Sequence, residues 1–313
     1  MAKVHWGVFV LKNTSLKIFG VLTSIGMLIV LLQGALVTKT DSGDGCGATW
    51  PLCFGQWFPD NPAVETIIEY SHRAVSGLLG IMVIILAIWS WKKLSHLRET
   101  KFMALMAVLF IIFQGFMGAG AVVWGHSDIV LALHFGISTI SFASVVLLNV
   151  LAFEDGKVNI RAPVVTKPYR NYLIFILIYT YAVIYTGAYV KHADATYVCS
   201  GFPLCNDQLI PDMSGSLGYQ IGVHVAHRLF GILLGVFLLV LMIWTIRRFH
   251  PSKILVWSSV ITFLLLIVQI IAGVSILSAN SYLPPALFHA LTITILFTIL
   301  SYMVMIVTRK PVK

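Results

Sequence analysis

Two stretches, 155 positions apart, place ionisable side chains where a long apolar segment begins. The first contains Glu69, His72 and Arg73. Glu69 and His72 are three positions apart, so in a helix they lie on one face. The second stretch contains His227 and Arg228 and again opens a long apolar segment. Ionisable groups inside a membrane segment are costly and usually mark a functional site, so both stretches are candidate sites of chemistry.

The same interval of 155 positions relates further side chains, which indicates an internal repeat. It joins His134 to His289, Gln114 to Gln269, and Gly118 to Gly273. Four histidines therefore form two matched pairs, His72 with His134 and His227 with His289. A single histidine between helices is commonly a satisfied polar group, and histidine also binds bare zinc or copper. Two ligands are too few for a closed site of four. Haem iron has six ligands, and the porphyrin itself supplies four of them. Each histidine pair is therefore a candidate for the two remaining, axial ligands.

The composition is that of an integral membrane protein. Of the 313 residues, 58% are hydrophobic and only 11% are charged, whereas soluble domains carry about 25% charged residues. The net charge of +9 is unevenly spread: 17 of the 21 Lys and Arg lie in alternate connections and at the termini, and nine of the 12 Asp and Glu lie in the others. This is the positive-inside pattern of membrane proteins. It explains the charge without a nucleic-acid partner.

Eight apolar segments are long enough to cross a bilayer, which takes about 20 residues. Membrane-spanning segments of this kind satisfy their backbone hydrogen bonds as helices. We predict an all-α, polytopic membrane protein of two tandem four-helix bundles, residues 1–165 and 166–313, related by a pseudo-two-fold repeat. Both termini are then cytoplasmic. With no visible secretory or mitochondrial leader, we expect the bacterial plasma membrane. The predicted spans are 18–38, 67–91, 102–124, 129–152, 171–190, 219–245, 254–278 and 285–308.

The direction of the helices predicts the depth of the histidines. Helices two, four, six and eight all run inwards from the outer side, and each contains one of the four histidines near its start. At 1.5 Å per residue, the four imidazoles lie at similar depth. Within each half, helices two and four of the bundle can therefore present two histidines to a flat metal macrocycle between them.

Four cysteines form two close pairs in the two long acidic loops, Cys46 with Cys53 and Cys199 with Cys205. The acidic loops lie on the outer, oxidising side, where disulfides are the default expectation. We expect each disulfide to hold its loop over the cleft. The alternative is a redox-active dithiol that exchanges with a membrane thiol oxidoreductase. Six and five intervening residues differ from the CxxC spacing of thioredoxin-like sites.

The repeat is broken at one informative position, because Glu69 corresponds to His224. Only the first half offers a carboxylate three residues before a ligand candidate. A buried carboxylate can act as a general base or stabilise developing positive charge, so we assign chemistry to the first half and electron handling to the second. Arg73 and Arg228 each follow a ligand candidate, and we expect them to pair with haem propionates.

Taken together, these residues resemble the haem A synthase family, over essentially the whole chain. Members with both outer cysteine pairs are similar to the type found in some Gram-positive bacteria. The resemblance rests on Gly34-Ala35-Leu36-Val37-Thr38-Lys39-Thr40, Cys46 with Trp50-Pro51-Leu52-Cys53, Glu69 with His72-Arg73, His134, His227-Arg228 and His289.

The resemblance implies an oxidoreductase that acts on a CH3 group. Haem O, which carries a farnesyl tail, has its C8 methyl group oxidised to a formyl group by two hydroxylations with water-derived oxygen. His72 and His134 would hold the substrate haem O, with Glu69 assisting at the methyl group. His227 and His289 would hold one haem B as cofactor. A lipid-facing gap would admit the tail, and a haem O synthase would deliver the substrate.

Three other functions are compatible with parts of the pattern. A two-haem electron-transfer cytochrome would use the four histidines but leaves Glu69 without a role. A transporter or haem exporter would also have internal repeats, but the inner halves of these helices are almost entirely apolar. A disulfide-generating membrane oxidase would use the cysteine pairs. Oxidation of haem O would also require an external electron acceptor.

Overall fold

The computed structural model describes residues 13–125, 127–155, 163–278 and 283–309. Eight α-helices within these ranges are long and apolar enough to cross a membrane. Each begins and ends within four residues of a predicted span, so the prediction of eight membrane helices is confirmed. The helices are α1 Thr14–Lys39, α2 Val64–Leu94, α3 Thr100–Trp124, α4 Asp128–Glu154, α5 Lys167–His192, α6 Gly218–Phe249, α7 Lys253–Ser278 and α8 Leu283–Val307.

The helices form two four-helix bundles. In each half the first helix packs on the second and fourth, and consecutive helices are neighbours. One cluster of buried side chains lies among α1–α4, and a second lies mainly among α5–α8 with part of α4. The two halves meet through α4 and α8, which also contact α5 and α1 respectively. These two helices are the most buried of the eight, because each is packed on its own bundle and on the other.

Ion pairs join the two halves at opposite ends of the helices. At the end that carries the two cysteine loops, which we call the disulfide end, Lys191 Nζ lies 3.1 Å from Asp41 Oδ1. At the other end, Arg309 donates to Glu154 Oε2 at 2.5 Å. Residues 1–12 and 310–313 lie outside the described ranges, so the predicted side of the two termini stays a prediction.

The two cysteine loops are built alike. Both predicted disulfides are present, Cys46–Cys53 and Cys199–Cys205. In each loop the second cysteine exchanges backbone hydrogen bonds with a glutamine three residues later, Gln56 or Gln208. A compact hairpin therefore closes each loop above the start of α2 or α6.

Candidate functional site

One cavity, with a volume of about 790 Å³, brings the four predicted histidines together. Its walls come from both bundles and include His72, His134, His227 and His289. Its size is within the range of small-molecule and cofactor pockets, about 300–1,000 Å³. Glu69, Arg73 and Arg228 also line it. The structure thus collects the histidine, acid and arginine candidates at the disulfide end of the bundle.

The two histidines of the second half each have one ring nitrogen held by a neighbour. His227 Nδ1 lies 3.1 Å from the Thr186 hydroxyl of α5. His289 Nδ1 lies 2.9 Å from the backbone carbonyl of Gln269 on α7. A hydrogen bond at Nδ1 selects the tautomer and orients the ring, which leaves Nε2 to bind a metal. The second half is therefore prepared for a tightly held group.

His72 of the first half lacks such a hydrogen bond. His72 Nδ1 is buried without a hydrogen-bond partner in the described part of the chain, whereas the backbone of Gln114 lies within hydrogen-bonding reach of His134, as Gln269 does for His289. Gln33 takes the place of Thr186 in the first half, because Gln33 precedes Gly34-Ala35 as Thr186 precedes Gly187-Ala188. The side-chain oxygen Oε1 of Gln33 is also buried, without a hydrogen-bond partner in the described part of the chain. A ligand such as His72, whose ring is not oriented by a hydrogen bond, suits a group that binds, reacts and leaves.

Glu69 is buried and connects the cavity to the first disulfide loop. One carboxylate oxygen accepts a hydrogen bond of 2.7 Å from the backbone N–H of Cys46. The other forms an ion pair with Arg73, one helical turn further along α2. In the second half His224 directs Nδ1 to the carbonyl of Ala195 at 2.7 Å. The acid that breaks the repeat is thus held in place by two donors.

Arg73 and Arg228 play matched parts in holding the loops. Arg73 Nη1 donates to the carbonyls of Thr49 at 2.5 Å and Leu52 at 3.1 Å. Arg228 Nη1 donates to the carbonyl of Leu204 at 2.7 Å. Each arginine therefore ties its disulfide loop to the helix that contains the adjacent histidine. Their predicted pairing with propionates stays a prediction.

Two features of the site were not identified from the sequence. Thr186 was missed. Its position directly before Gly187-Ala188, which repeats Gly34-Ala35, was a signal that could have identified it. Five charged side chains at the cavity wall were also given no role, namely Lys39, Asp41, Asp44, Lys191 and Asp194. They come from opposite halves, and only the packing of the two bundles brings them together.

Removal of the first disulfide tests whether it is structural. We expect the double variant Cys46→Ser, Cys53→Ser to lose stability and haem, because a native disulfide in a small domain typically contributes about 2–5 kcal/mol. Activity should fall in proportion to folded protein, measured as monodisperse protein after heating. The matched control is Cys199→Ser with Cys205→Ser. A folded, haem-loaded and inactive first variant would instead indicate thiol redox chemistry.

One protein-family model matches nearly the whole helical region. The model of the cytochrome oxidase assembly protein family matches residues 17–301. The chain belongs to this family. The match extends from α1 to α8, so both halves of the assembly protein are included.

Curated relatives of this assembly protein are similar along nearly their full length. A protein of Halalkalibacterium halodurans named Heme A synthase is 61% identical over 298 residues, covering 95% of this chain and 99% of that protein. Another of that name, from Alkalihalophilus pseudofirmus, is 59% identical over 294 residues, covering 94% and 98%. A third, from Bacillus mycoides, is 45% identical over 300 residues, covering 95% and 94%.

Proposed function

We propose that this assembly protein is a haem A synthase, an oxidoreductase that converts the C8 methyl group of haem O to a formyl group. The observation that carries the proposal is the cavity with two histidine pairs, of which, among the described residues, only His72 and His134 have a buried carboxylate beside them. The relatives named Heme A synthase support the substrate class. The unequal pairs support a division of labour between the two halves.

The residues of the second half fit a resident haem B. His227 and His289 line the cavity, and each has Nδ1 hydrogen-bonded, so each can offer Nε2 to the iron. Gly231, three residues from Arg228, lines the same wall, and a Cβ there would meet no atom within 4 Å. Such open wall leaves room for a flat macrocycle. When bound, haem B supplies a one-electron redox centre.

The residues of the first half fit an exchangeable substrate. His72 and His134 line the cavity, and His72 Nδ1 has no hydrogen-bond partner in the described part of the chain, unlike Nδ1 of its counterpart His227. Gly77 and Gly115 face open space on this side. In this proposal His72 and His134 hold haem O through its iron. Weaker orientation of His72 lets the product haem A leave.

The proposed reaction adds one oxygen atom from water to the methyl carbon. Conversion of the CH3 group and one water to a CHO group releases four protons and four electrons. Two hydroxylations of the methyl carbon give a geminal diol, and loss of water from the diol leaves the formyl group. The electrons pass to an external membrane acceptor, and protons must leave the site at each oxidation.

Glu69 is the side chain proposed to assist proton removal. It lies one helical turn from His72 on the same face of α2, and it lines the cavity. Its carboxylate can accept a proton from the methyl group or attacking water, or stabilise positive charge that develops there. The ion pair with Arg73 and the hydrogen bond from the Cys46 amide orient the carboxylate. The loop thus serves to position the acid.

The remaining proposals concern orientation and supply. Arg73 and Arg228 lie at the cavity wall and are proposed to attract the haem propionates. The protein is proposed to lie in the bacterial plasma membrane, with both termini cytoplasmic and the disulfide end outside. A haem O synthase in the same bilayer is proposed to deliver the substrate.

Haem analysis tests the proposed activity. Membranes from cells that express a haem O synthase with this chain should contain haem A and its hydroxylated precursor, resolved by the mass of extracted haem. Cells with the haem O synthase alone should contain haem O. Extracts holding haem B and unchanged haem O would favour an electron-transfer cytochrome and reject the proposed activity.

A further inference from the structure

Each of the four histidines packs its ring edge against a glycine of the preceding helix. His72 of α2 faces Gly34 of α1, and His227 of α6 faces Gly187 of α5. The same arrangement occurs in the second helix pair of each half. The shared feature is that Cε1 is the atom nearest to where a Cβ would lie, at 3.1 Å for Gly34–His72, 3.3 Å for Gly118–His134, 2.7 Å for Gly187–His227 and 3.0 Å for Gly273–His289.

A Cβ at Gly187 would clash with the ring, and a Cβ at each of the other three glycines would make a contact tighter than normal. At 2.7–3.3 Å an added methyl group would press on the imidazole carbon, because non-bonded carbon atoms prefer about 3.5–4.0 Å. The nearest atom is Cε1 of a histidine ring, and the position of that ring determines whether its nitrogen can bind the metal. Glycine inside a helix also disfavours the helix by about 1 kcal/mol relative to alanine. Four such glycines at matched places are thus explained by the rings that they accommodate.

We infer that Gly34, Gly118, Gly187 and Gly273 are positioning residues that set the height and plane of the four iron-ligating imidazoles. The inference rests on the proposed haem-ligating role of the histidines. A methyl group at any of the four positions pushes the ring away from the preceding helix and displaces Nε2 relative to the iron. The glycines act through the histidines and do not touch the iron themselves.

The contacts around the four histidine rings differ, which predicts that the four glycine substitutions will have effects of different size. In the second half each ring has two constraints, a glycine at Cε1 and an acceptor at Nδ1. Displacement of His227 by a methyl group at position 187 also strains the hydrogen bond to Thr186. Gly187 has the shortest distance of the four, so its substitution should have the largest effect. Gly118 has the longest, so its substitution should have the smallest.

The test measures resident haem rather than turnover. Gly187→Ala and Gly273→Ala are purified as full chains in detergent, with haem B per protein, the visible spectrum and the midpoint potential recorded. Changes to groups that orient metal ligands typically lower affinity by about 10–100-fold. We expect haem B affinity to fall by about this factor, more in Gly187→Ala, and the potential of the remaining haem to shift.

Two sets of variants serve as controls. Gly34→Ala and Gly118→Ala should leave haem B and its potential unchanged while weakening binding of added haem O. Gly222→Ala, on the same helix as His227, should leave both sites unchanged. The nearest atom to a Cβ at Gly222 is Met213 Sδ at 3.6 Å, an ordinary contact. Alanine favours helix at all these positions, and monodispersity on size exclusion verifies folding.

The outcomes separate this inference from the proposed function. Loss of haem B in both His227→Ala and Gly187→Ala, with retention in Gly222→Ala, supports the inference. Wild-type haem content and potential in Gly187→Ala and Gly273→Ala, with loss in His227→Ala, would overturn the inference and leave the haem site intact. Retention of haem B in His227→Ala would overturn the ligand assignment itself. If Gly187→Ala does not purify, the milder Gly273→Ala and its potential decide.

Discussion

Glu69→Gln is expected to fold, to retain haem B and to lose haem A production by about 10²–10⁴-fold, the usual loss when a positioned base is removed. Glutamine keeps the length of the side chain and can still accept the hydrogen bond from the Cys46 amide. It cannot accept a proton as a carboxylate does, and it cannot form the ion pair with Arg73. Haem O or its hydroxylated intermediate should accumulate, measured by the mass of extracted haem.

The contacts of Glu69 also give it a structural role, which the experiment must separate from catalysis. Loss of a buried polar contact costs about 1–3 kcal/mol of stability and would lower the amount of folded protein. Activity is therefore expressed per haem B bound. The matched control is His224→Ala, which removes the hydrogen bond to the Ala195 carbonyl at the same place in the other half. Wild-type haem A output from Glu69→Gln would remove this residue from the mechanism.

The two histidine pairs are expected to fail in different ways. His227→Ala or His289→Ala should lose haem B, because the proposed site would lose an axial ligand that a hydrogen bond at Nδ1 orients. His72→Ala or His134→Ala should retain haem B and abolish haem A production. The measurements are the absorption spectrum of purified protein and the haem composition of the membranes.

The opposite result would reverse the roles of the halves. Loss of resident haem B from the His72 and His134 variants, with retention in the His227 and His289 variants, would place the cofactor in the first half. His224→Ala is the control in α6. His224 is a buried histidine, and its ring is not packed against any of the four glycines. It should leave the haem B spectrum unchanged.

The residue pattern alone predicted the eight helices and their pairing into two halves. The reason is physical: a segment surrounded by lipid must be apolar and must satisfy its own backbone hydrogen bonds, so each span is visible as an uninterrupted apolar run. The repeat at a constant interval then related His72 to His227 and His134 to His289. The cysteine pairs followed from their short spacing and were confirmed as Cys46–Cys53 and Cys199–Cys205.

Only the tertiary structure decided what surrounds these residues. The Thr186 hydroxyl of α5 contacts His227 of the neighbouring helix α6, and the Cys46 amide contacts Glu69, which is 23 residues away in the sequence. The four glycines meet their histidines across helix pairs in the same manner. Such contacts depend on the rotation and separation of packed helices, which small residues at an interface set in detail. The apolar pattern determined that the helices exist, whereas the packing determined which ring nitrogens and which acid are held in place.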